Sequence, residues 1–405
     1  MRSLKVLMFG WEFPPKNSGG LGTACYGLTK ALARNNVQIT LVLPYDIDTS
    51  SHDFLKIVSS PNIKIRKVKS VLMPYISSSE YNTLISRQNG KGANTIYGKN
   101  LFEEVNRYAE LAVEIAQDED FDVIHCHDWM TFKAGMNVKK LTGKPLIVHV
   151  HSIEFDRTGG NGFNPFVWEI EKCGMENADF VLPVSNYTKR LIMQHYGIPE
   201  DKIVVVHNAI DNDGEVMGYL HHKLREGNKI VLFLGRITLQ KGPDYFIYAA
   251  KKALEIDPNI IFVVAGKGDM ETRMIDKVAE MGIGDKVLFT GFLSGKNIDE
   301  IYKMADLYVM PSVSEPFGLT CLESMKNGTP VLISKQSGVS EVVNHCLKAD
   351  FWDVNQITNK MLSVLKHDEL RDEMRTNGFH EVKKFSWDCP AKKCIEVYKR
   401  ALHWI

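Results

Sequence analysis

The sequence lacks an excess of charge of either sign. Lys plus Arg and Asp plus Glu both number 49 in a chain of 405 residues, so the formal net charge is zero. A field over the whole surface that would attract nucleic acid or an anionic membrane is therefore excluded. We expect no nucleic-acid partner, and any ligand has to be recognised at a local site.

Long apolar runs and paired cysteines are also missing. The first apolar run extends only from Val6 to Phe9 before Gly10, which is too short for a signal-peptide core or a membrane span. We therefore expect no transmembrane segment. The seven cysteines form no Cys-x-x-Cys motif, which indicates free thiols in a reducing compartment. This pattern predicts a cytoplasmic protein.

The chain does have a regular alternation of buried strands and helices. Its length and 44% apolar content indicate about two domains. Apolar runs alternate with helical spacing, as in the stretch from Cys25 to Arg34, which predicts an α/β fold with doubly wound parallel sheets. The predicted strands are "KVLMFG", "QITLVLP", "FDVIHCH", "PLIVHVH", "FVLPVS", "IVVVHN", "KIVLFLG", "IIFVVAG", "KVLFTG", "LYVMPS" and "PVLIS".

Two stretches interrupt this alternation. Residues 209–228 are rich in Asn, Asp and Gly, and we place the inter-domain linker there. The predicted domains are residues 1–210 and residues 211–387, facing each other across a cleft. Residues 46–100 are a second irregular region, which we interpret as a long surface insertion near the mouth of the cleft.

A glycine-rich loop follows the first predicted strand. It contains Gly19 and Gly20 and precedes a helix that we expect to begin near Thr23. Backbone N–H groups at such a turn can approach an anion that the helix N-terminus also favours, so the loop predicts a phosphate contact. The second strand ends without the acid that binds a ribose hydroxyl, which argues against a nicotinamide site. A turn needed only for close helix packing is the alternative.

Three strand-end loops in the second half have the composition of a nucleotide site. Arg236 and Lys241 follow one strand and can neutralise a diphosphate, Arg as a planar fork and Lys as a point charge. The stretches "AGKGD" and "TGFLSGKN" follow two others and offer backbone groups to a nucleobase. From them we select Gly266, Phe292 and Leu293. Taken singly, each loop also fits an ordinary turn.

The stretch "EPFGLTCLES" places two carboxylates eight positions apart across the start of a helix. Carboxylates in a cleft accept hydrogen bonds from vicinal hydroxyls, so Glu315 suits a sugar ring and Glu323 suits a ribose. Helix-start amides between them can bind phosphate. The predicted ligand is a nucleotide sugar, although a capping acid and an exposed helix residue are the plainer alternative. The intervening candidate residues are Phe317, Gly318, Leu319 and Thr320.

Together with "SGVSE", "GRITLQKG", "SGGLG" and "FDVIHCHDW", this stretch resembles the retaining GT-B glycosyltransferases, in particular the branch with sucrose synthases and archaeal-type glycogen synthases. The resemblance implies two Rossmann-like domains. Because the sequence has no convincing acidic metal site, we expect no required metal or cofactor. The resemblance places Arg236 and Lys241 on the donor diphosphate, Glu315 on the sugar, Glu323 on the ribose and Gly20 against the phosphate. It also assigns a sugar contact to His151. After Ser386-Trp387, residues 388–405 are expected to cross back to the first domain.

The resemblance implies glycosyl transfer with retention from an ADP- or UDP-sugar, with glucose as the expected sugar, to a carbohydrate acceptor. Two departures separate the chain from bacterial starch and glycogen synthases, because Asn17 stands where those enzymes carry Lys and Glu323 where they carry Tyr. The acceptor therefore stays open between an α-glucan end, as in a glycogen synthase-like enzyme, and a cell-surface polysaccharide or small sugar. A nucleotide-sugar 2-epimerase and a non-catalytic sugar-nucleotide binder remain alternatives.

Two histidine pairs suggest a zinc hydrolase as an alternative of another class. "HCHD" and "HVH" each place two imidazoles on one face of a strand. Neither stretch supplies a full ligand set, so we expect His125 and His149 to lie satisfied in the core, with His127, Asp128 and His151 facing the cleft. The acid pair "DID" at residues 46–48 is interpreted as a surface turn rather than a metal site.

Overall fold

Twelve strands form two separate six-stranded parallel sheets in the part of the chain that the computed structural model describes. The described residues are 3–14, 19–44, 61–68, 81, 99–160, 162–211 and 227–404. Helices lie between most successive strands, so the prediction of an α/β fold with doubly wound parallel sheets is confirmed.

The first sheet has the strand order β3-β2-β1-β4-β5-β6. Its apolar strands are buried on both faces because helices cover each side, as a parallel sheet requires. The strands are β1 (Lys5–Phe9), β2 (Gln38–Leu43), β3 (Ile63–Lys67), β4 (Val123–His127), β5 (Leu146–Val150) and β6 (Phe180–Pro183). The helices are α1 (Gly20–Arg34), α2 (Leu101–Gln117), α3 (Trp129–Thr142), α4 (Glu154–Arg157), α5 (Pro165–Asn177) and α6 (Asn186–Tyr196).

The second sheet repeats this topology in the order β12-β11-β10-β7-β8-β9. Its strands are β7 (Lys229–Leu234), β8 (Ile260–Ala265), β9 (Val287–Gly291), β10 (Leu307–Met310), β11 (Val331–Ser334) and β12 (Leu347–Ala349). The helices are α7 (Pro243–Leu254), α8 (Glu271–Glu280), α9 (Lys296–Met304), α10 (Leu319–Lys326), α11 (Val354–Lys366), α12 (Asp368–Val382) and α13 (Asp388–Ala401).

Three strand predictions need correction. The run "IVVVHN" is not a strand, because Ile203 makes only an isolated bridge to Val181 beside β6. Strand β3 lies inside the region that we interpreted as an insertion. Its charged residues Lys64 and Arg66 form hydrogen bonds with Glu119 at the sheet edge. The strand therefore contains no continuous apolar run, which was the pattern used to predict strands. The short β12 also escaped prediction.

The rest of the predicted insertion, with "DID", and most of the predicted linker lie outside the described residues.

The last helix, α13, packs against α1 of the first sheet. The indole of Trp387 occupies the space where a side chain at Gly27 would lie, since a Cβ built there falls 2.2 Å from ring atoms. Arg34 bonds Asp388 at 3.2 Å at the edge of this contact. The glycine in the middle of α1 is thus explained by close packing of the chain that follows the second sheet.

Replacing Gly27 by Ala is expected to destabilise the protein by about 1–3 kcal/mol, because the added methyl group forces the buried Trp387 ring to move. The measurement is chemical unfolding of the purified variant. Gly284→Ala is the matched control, because a Cβ at that glycine meets nothing within 4 Å. Equal stability of the two variants would contradict the close contact between α1 and Trp387.

The carboxyl ends of the two sheets face each other and define the place of a ligand site. In each sheet the strand order reverses beside the first strand, between β1 and β4 and between β7 and β10, and ligands of open α/β sheets bind at such points. Within the described residues, no helix is both long enough and apolar enough to span a bilayer. All seven cysteines are free thiols, and the cytoplasmic location stays a prediction.

Candidate active site

A cavity of about 310 Å³ lies between the carboxyl ends of the two sheets. Every one of the candidate site residues selected from the sequence lines it, although these residues come from six separate stretches of the chain. They are Gly19, Gly20, His151, Arg236, Lys241, Gly266, Phe292, Leu293, Glu315, Phe317, Gly318, Leu319, Thr320 and Glu323. The structure thus brings the predicted site together across the cleft.

The glycine-rich loop enters the cavity as the first turn of α1. The helix begins at Gly20, three residues earlier than we expected, and its first free N–H groups therefore lie closer to the cavity. Gly19 donates its N–H to Glu12 Oε1 at 3.0 Å, which fixes the loop. A Cβ on Gly20 would lie 3.6 Å from Leu319 Cδ1, so the two domains approach closely here.

His151 lies at the end of β5 on the first-domain side of the cavity. Its backbone N–H donates to Asp128 Oδ1 at 2.7 Å, and its ring Nε2 lies 2.9 Å from His127 Nδ1. Burial and three neighbouring imidazoles lower the pKa of His151 well below its usual value. His151 is therefore a neutral imidazole that can donate or accept a hydrogen bond near neutral pH.

Two cations face the cavity from the loop after β7. The Arg236 guanidinium donates to Gln240 Oε1 at 3.1 Å, and Lys241 Nζ forms an ion pair with Glu315 Oε2 at 2.5 Å. Gly242 follows in the left-handed conformation, with φ of +66°, and a Cβ there would lie 2.2 Å from the carbonyl oxygen of Pro311. This close approach joins the β7 loop to the β10 loop and holds Lys241 against Glu315.

Glu315 is held rigidly after β10. Its Oε2 accepts from Ser312 Oγ at 3.1 Å as well as from Lys241, and the residue is only 5% exposed. Its backbone pairs with that of Ser337 in an isolated parallel bridge. A carboxylate fixed by an ion pair, a hydroxyl and its own backbone has little freedom, so its oxygens point at one place in the cavity.

Helix α10 begins directly after Gly318, which adopts a φ of +109° that favours glycine. Glu323 lies one turn inside this helix and accepts a hydrogen bond from Tyr302 OH at 3.2 Å. Burial raises the pKa of Glu323, while the Tyr302 hydroxyl opposes that shift. Glu323 lines the same cavity as His151.

The part of the cavity wall after β8 and β9 combines close-packed backbone with an exposed aromatic ring. Gly266 has a φ of +137°, and a Cβ there would fall 1.9 Å from the carbonyl oxygen of Gly235, so no side chain fits between β7 and β8. Phe292 is 56% exposed at the cavity, beside Leu293. An exposed aromatic side chain next to bare backbone can stack on and hydrogen-bond a nucleobase.

Further cavity residues escaped the sequence reasoning. The most informative is Lys267, a third cation within the quoted "AGKGD" stretch, where composition alone could have identified it. Asn208 lies at the end of the run mistaken for a strand, and Gln240 is the hydrogen-bond partner of Arg236. The other such residues are Leu21, Thr23, Ser152, Leu234, Gly235, Ala265, Ser294, Gly295, Ile298 and Pro316.

The predictions for the paired histidines were partly wrong. All four imidazoles stack face to face, with centroids 4.5 Å apart for His125 and His127 and again for His149 and His151. His127 is fully buried instead of facing the cleft, because its ring lies beneath His151. His149 has no hydrogen-bond partner on either ring nitrogen among the described residues, so it is not satisfied. His151 and Asp128 do line the cavity.

Comparison with known proteins agrees with this geometry. The family described as glycosyl transferases group 1 matches residues 221–381, and glycosyltransferase family 4 matches residues 18–213. The uncharacterized glycosyltransferase MJ1607 of Methanocaldococcus jannaschii is 31% identical over 98% of this chain and 99% of its own. Glycogen synthase of Mycobacterium tuberculosis is 25% identical over 84% of this chain and 80% of its own.

Among solved structures, sucrose-phosphate synthase from Thermosynechococcus elongatus has a TM-score of 0.78 at 19% identity, covering 99% of this chain and 100% of that one. The chain belongs to the group 1 glycosyltransferases and has the GT-B fold. Family membership makes it a transferase, which argues against the 2-epimerase, the zinc hydrolase and the non-catalytic binder.

Proposed function

We propose that this protein is a retaining glycosyltransferase that moves a glucosyl unit from a nucleoside-diphosphate glucose to a carbohydrate hydroxyl, with the end of an α-glucan as the preferred acceptor. The observation that supports it most directly is the ion pair between Lys241 Nζ and Glu315 Oε2, which lie 2.5 Å apart in the cavity. The pair places a cation beside a carboxylate that can accept hydrogen bonds. A sugar diphosphate presents the matching groups close together, an anionic phosphate for the cation and vicinal hydroxyls for the carboxylate.

The other cavity residues support one orientation of the nucleotide-sugar donor in the cavity. The base lies against Phe292 and the bare backbone at Gly266, and the ribose lies at Glu323. The diphosphate then lies between Arg236, Lys241 and the amides at the start of α10. This order directs the sugar toward Glu315 and the first domain, where His151 and the Gly20 turn meet it.

In the proposed mechanism, the rate enhancement comes from stabilising the negative charge that develops on the leaving diphosphate. Fixed cations and helix-start amides stabilise that charge more in the transition state than in the ground state. The acceptor hydroxyl attacks the anomeric carbon as the bond to the diphosphate breaks, and the hydroxyl proton leaves with the departing phosphate oxygen. Attack on the face from which the diphosphate departs gives retention of configuration.

The acceptor is the part of the proposal on which the comparisons differ. The similarity to a glycogen synthase over 84% of this chain supports an α-glucan end. A small sugar is the second candidate acceptor, because it offers a hydroxyl of the same kind. A cell-surface polysaccharide is a third acceptor of the same chemical class.

The experiment is a transfer assay with ADP-glucose and UDP-glucose, each with a glucan primer, with small sugars and with no acceptor. We expect glucose transfer to the primer with the α-anomeric configuration, observed by NMR of the product. Activity should survive EDTA, since the proposed charges come from Arg236, Lys241 and helix amides. No transfer from either donor would contradict the function, and loss of turnover in EDTA restored by a divalent ion would contradict the metal-free mechanism.

A further inference from the structure

Beneath the cavity lies a buried cluster in which two of the three side chains have no role in the proposed mechanism. Cys25 on α1, His127 on β4 and His151 directly after β5 each offer one ligand atom, and these atoms lie within 4.8 Å of one another. All three side chains are at most 9% exposed. Because the ligands come from three elements of the first sheet, the cluster is held in place by the core itself.

The polar atoms in this cluster are incompletely bonded. His127 Nδ1 and His151 Nε2 lie 2.9 Å apart, while His127 Nε2 and His151 Nδ1 are buried and have no hydrogen-bond partner among the described residues. A buried ring nitrogen without a partner costs free energy, which a bound cation would recover by accepting the lone pair.

Two acidic residues lie near the cluster. The carboxyl groups of Asp128 and Glu12 are close enough to the Cys25 thiol to act on it electrostatically. Within the described residues, the cluster is thus flanked by two acids. A divalent ion bound to a thiolate and two neutral imidazoles would bring positive charge to both carboxylates.

We propose that Cys25, His127 and His151 form a binding site for a thiophilic transition-metal ion such as Zn²⁺, and that the ion inhibits glycosyl transfer by occupying His151. Thiolate and imidazole are the donors that Zn²⁺ prefers, and ligand atoms in its tetrahedral sites lie roughly 3.5 Å apart. Closure from 4.8 Å therefore takes about 1 Å of side-chain movement. The ion would displace the proton of the Cys25 thiol.

The path to this site runs through the substrate cavity. His151 lines the cavity, as does Leu21, which lies one turn before Cys25 on α1. An ion entering from the cleft would therefore reach His151 first, so the proposed metal site adjoins the space assigned to the sugar. Donor sugar and metal ion compete for one imidazole, so binding of each should weaken the other; this part rests on the proposed function.

The site is tested first without any activity assay, by adding Co²⁺ to the purified full chain and recording its absorption spectrum. We expect one ion per chain and a near-ultraviolet thiolate-to-cobalt charge-transfer band. Cys25→Ala should abolish that band and lower the affinity for Co²⁺ at least tenfold. Cys126→Ala is the matched control, because Cys126 lies between His125 and His127 in sequence but packs on the opposite face, against Gly135.

The second arm measures transfer with increasing Zn²⁺. We expect inhibition that is competitive with the donor and reversed by EDTA, and a Cys25→Ala variant that keeps basal activity and resists Zn²⁺. A Cys25→Ser variant replaces it if the Ala protein does not fold. Cobalt binding without the charge-transfer band, or equal Zn²⁺ inhibition of wild type and variant, would overturn the proposal. If no transfer is detected at all, the cobalt spectrum still decides the metal site and the failure belongs to the proposed function.

Discussion

Lys241→Ala should reduce kcat by on the order of a hundredfold or more, which corresponds to about 3 kcal/mol of lost transition-state stabilisation, by analogy with removal of one oxyanion donor. The Lys241 ammonium is paired with Glu315 in the cavity, so its removal also leaves that carboxylate without its cation. Arg236→Ala should produce a loss of the same order, because its guanidinium is proposed to contact the same diphosphate.

The matched comparison is Glu323→Ala. Its carboxylate is proposed to contact a ribose hydroxyl in both the ground state and the transition state, so the variant should raise the donor KM and spare kcat at saturation. Steady-state kinetics on the three folded variants separates the roles. Near-normal kcat in Lys241→Ala and Arg236→Ala, together with lost kcat in Glu323→Ala, would place the helix acid at the chemistry and the cations outside it.

Much of the fold followed from one signal, the apolar runs that both faces of a parallel sheet require. This signal failed where a strand has only one buried face. In β3, the charges of Lys64 and Arg66 pair with Glu119 outside the core, so no continuous apolar run exists. The same signal predicted a strand at Ile203 where none exists, because the apolar residues there lie beside β6 and form only an isolated bridge.

The site was predictable because its parts are strand-end loops. In an open α/β sheet the topology gathers the carboxyl ends of strands, so chemistry-bearing residues after different strands must meet. Glycines identified the close approaches, and Gly266 and Gly318 indeed occupy backbone conformations that favour glycine. The motif resemblance then supplied roles that spacing alone did not.

The sequence did not predict which side chains contact each other in the site. Nothing in the spacing of Lys241 and Glu315, which are far apart in the chain, indicates that they form an ion pair. Nor does the pattern of "HCHD" and "HVH" reveal that the register pairs His127 with His149 and stacks four imidazoles. Such contacts depend on strand order and register, which are tertiary properties.

The ion pair between Lys241 and Glu315 also determines the effects that we expect from Glu315→Gln on turnover and on diphosphate binding. This substitution keeps the shape of the side chain and removes its charge. Turnover should fall by at least about a hundredfold, because a neutral amide accepts hydrogen bonds from sugar hydroxyls less strongly and cannot favour the positive charge that develops at the anomeric carbon. Binding of the free nucleoside diphosphate should be retained or become tighter, since Lys241 is released from its carboxylate partner while the product carries no sugar.

Calorimetric titration of the nucleoside diphosphate and steady-state transfer assays, both on the same preparation, measure these two effects. Ser312→Ala is the control, because it removes the second hydrogen bond to Glu315 Oε2 but leaves the charge and the ion pair in place. Its turnover should fall by far less than that of Glu315→Gln. Parallel loss of diphosphate binding and turnover in Glu315→Gln would instead show that the carboxylate only supports the loop after β10, because a sugar contact cannot affect a ligand that has no sugar.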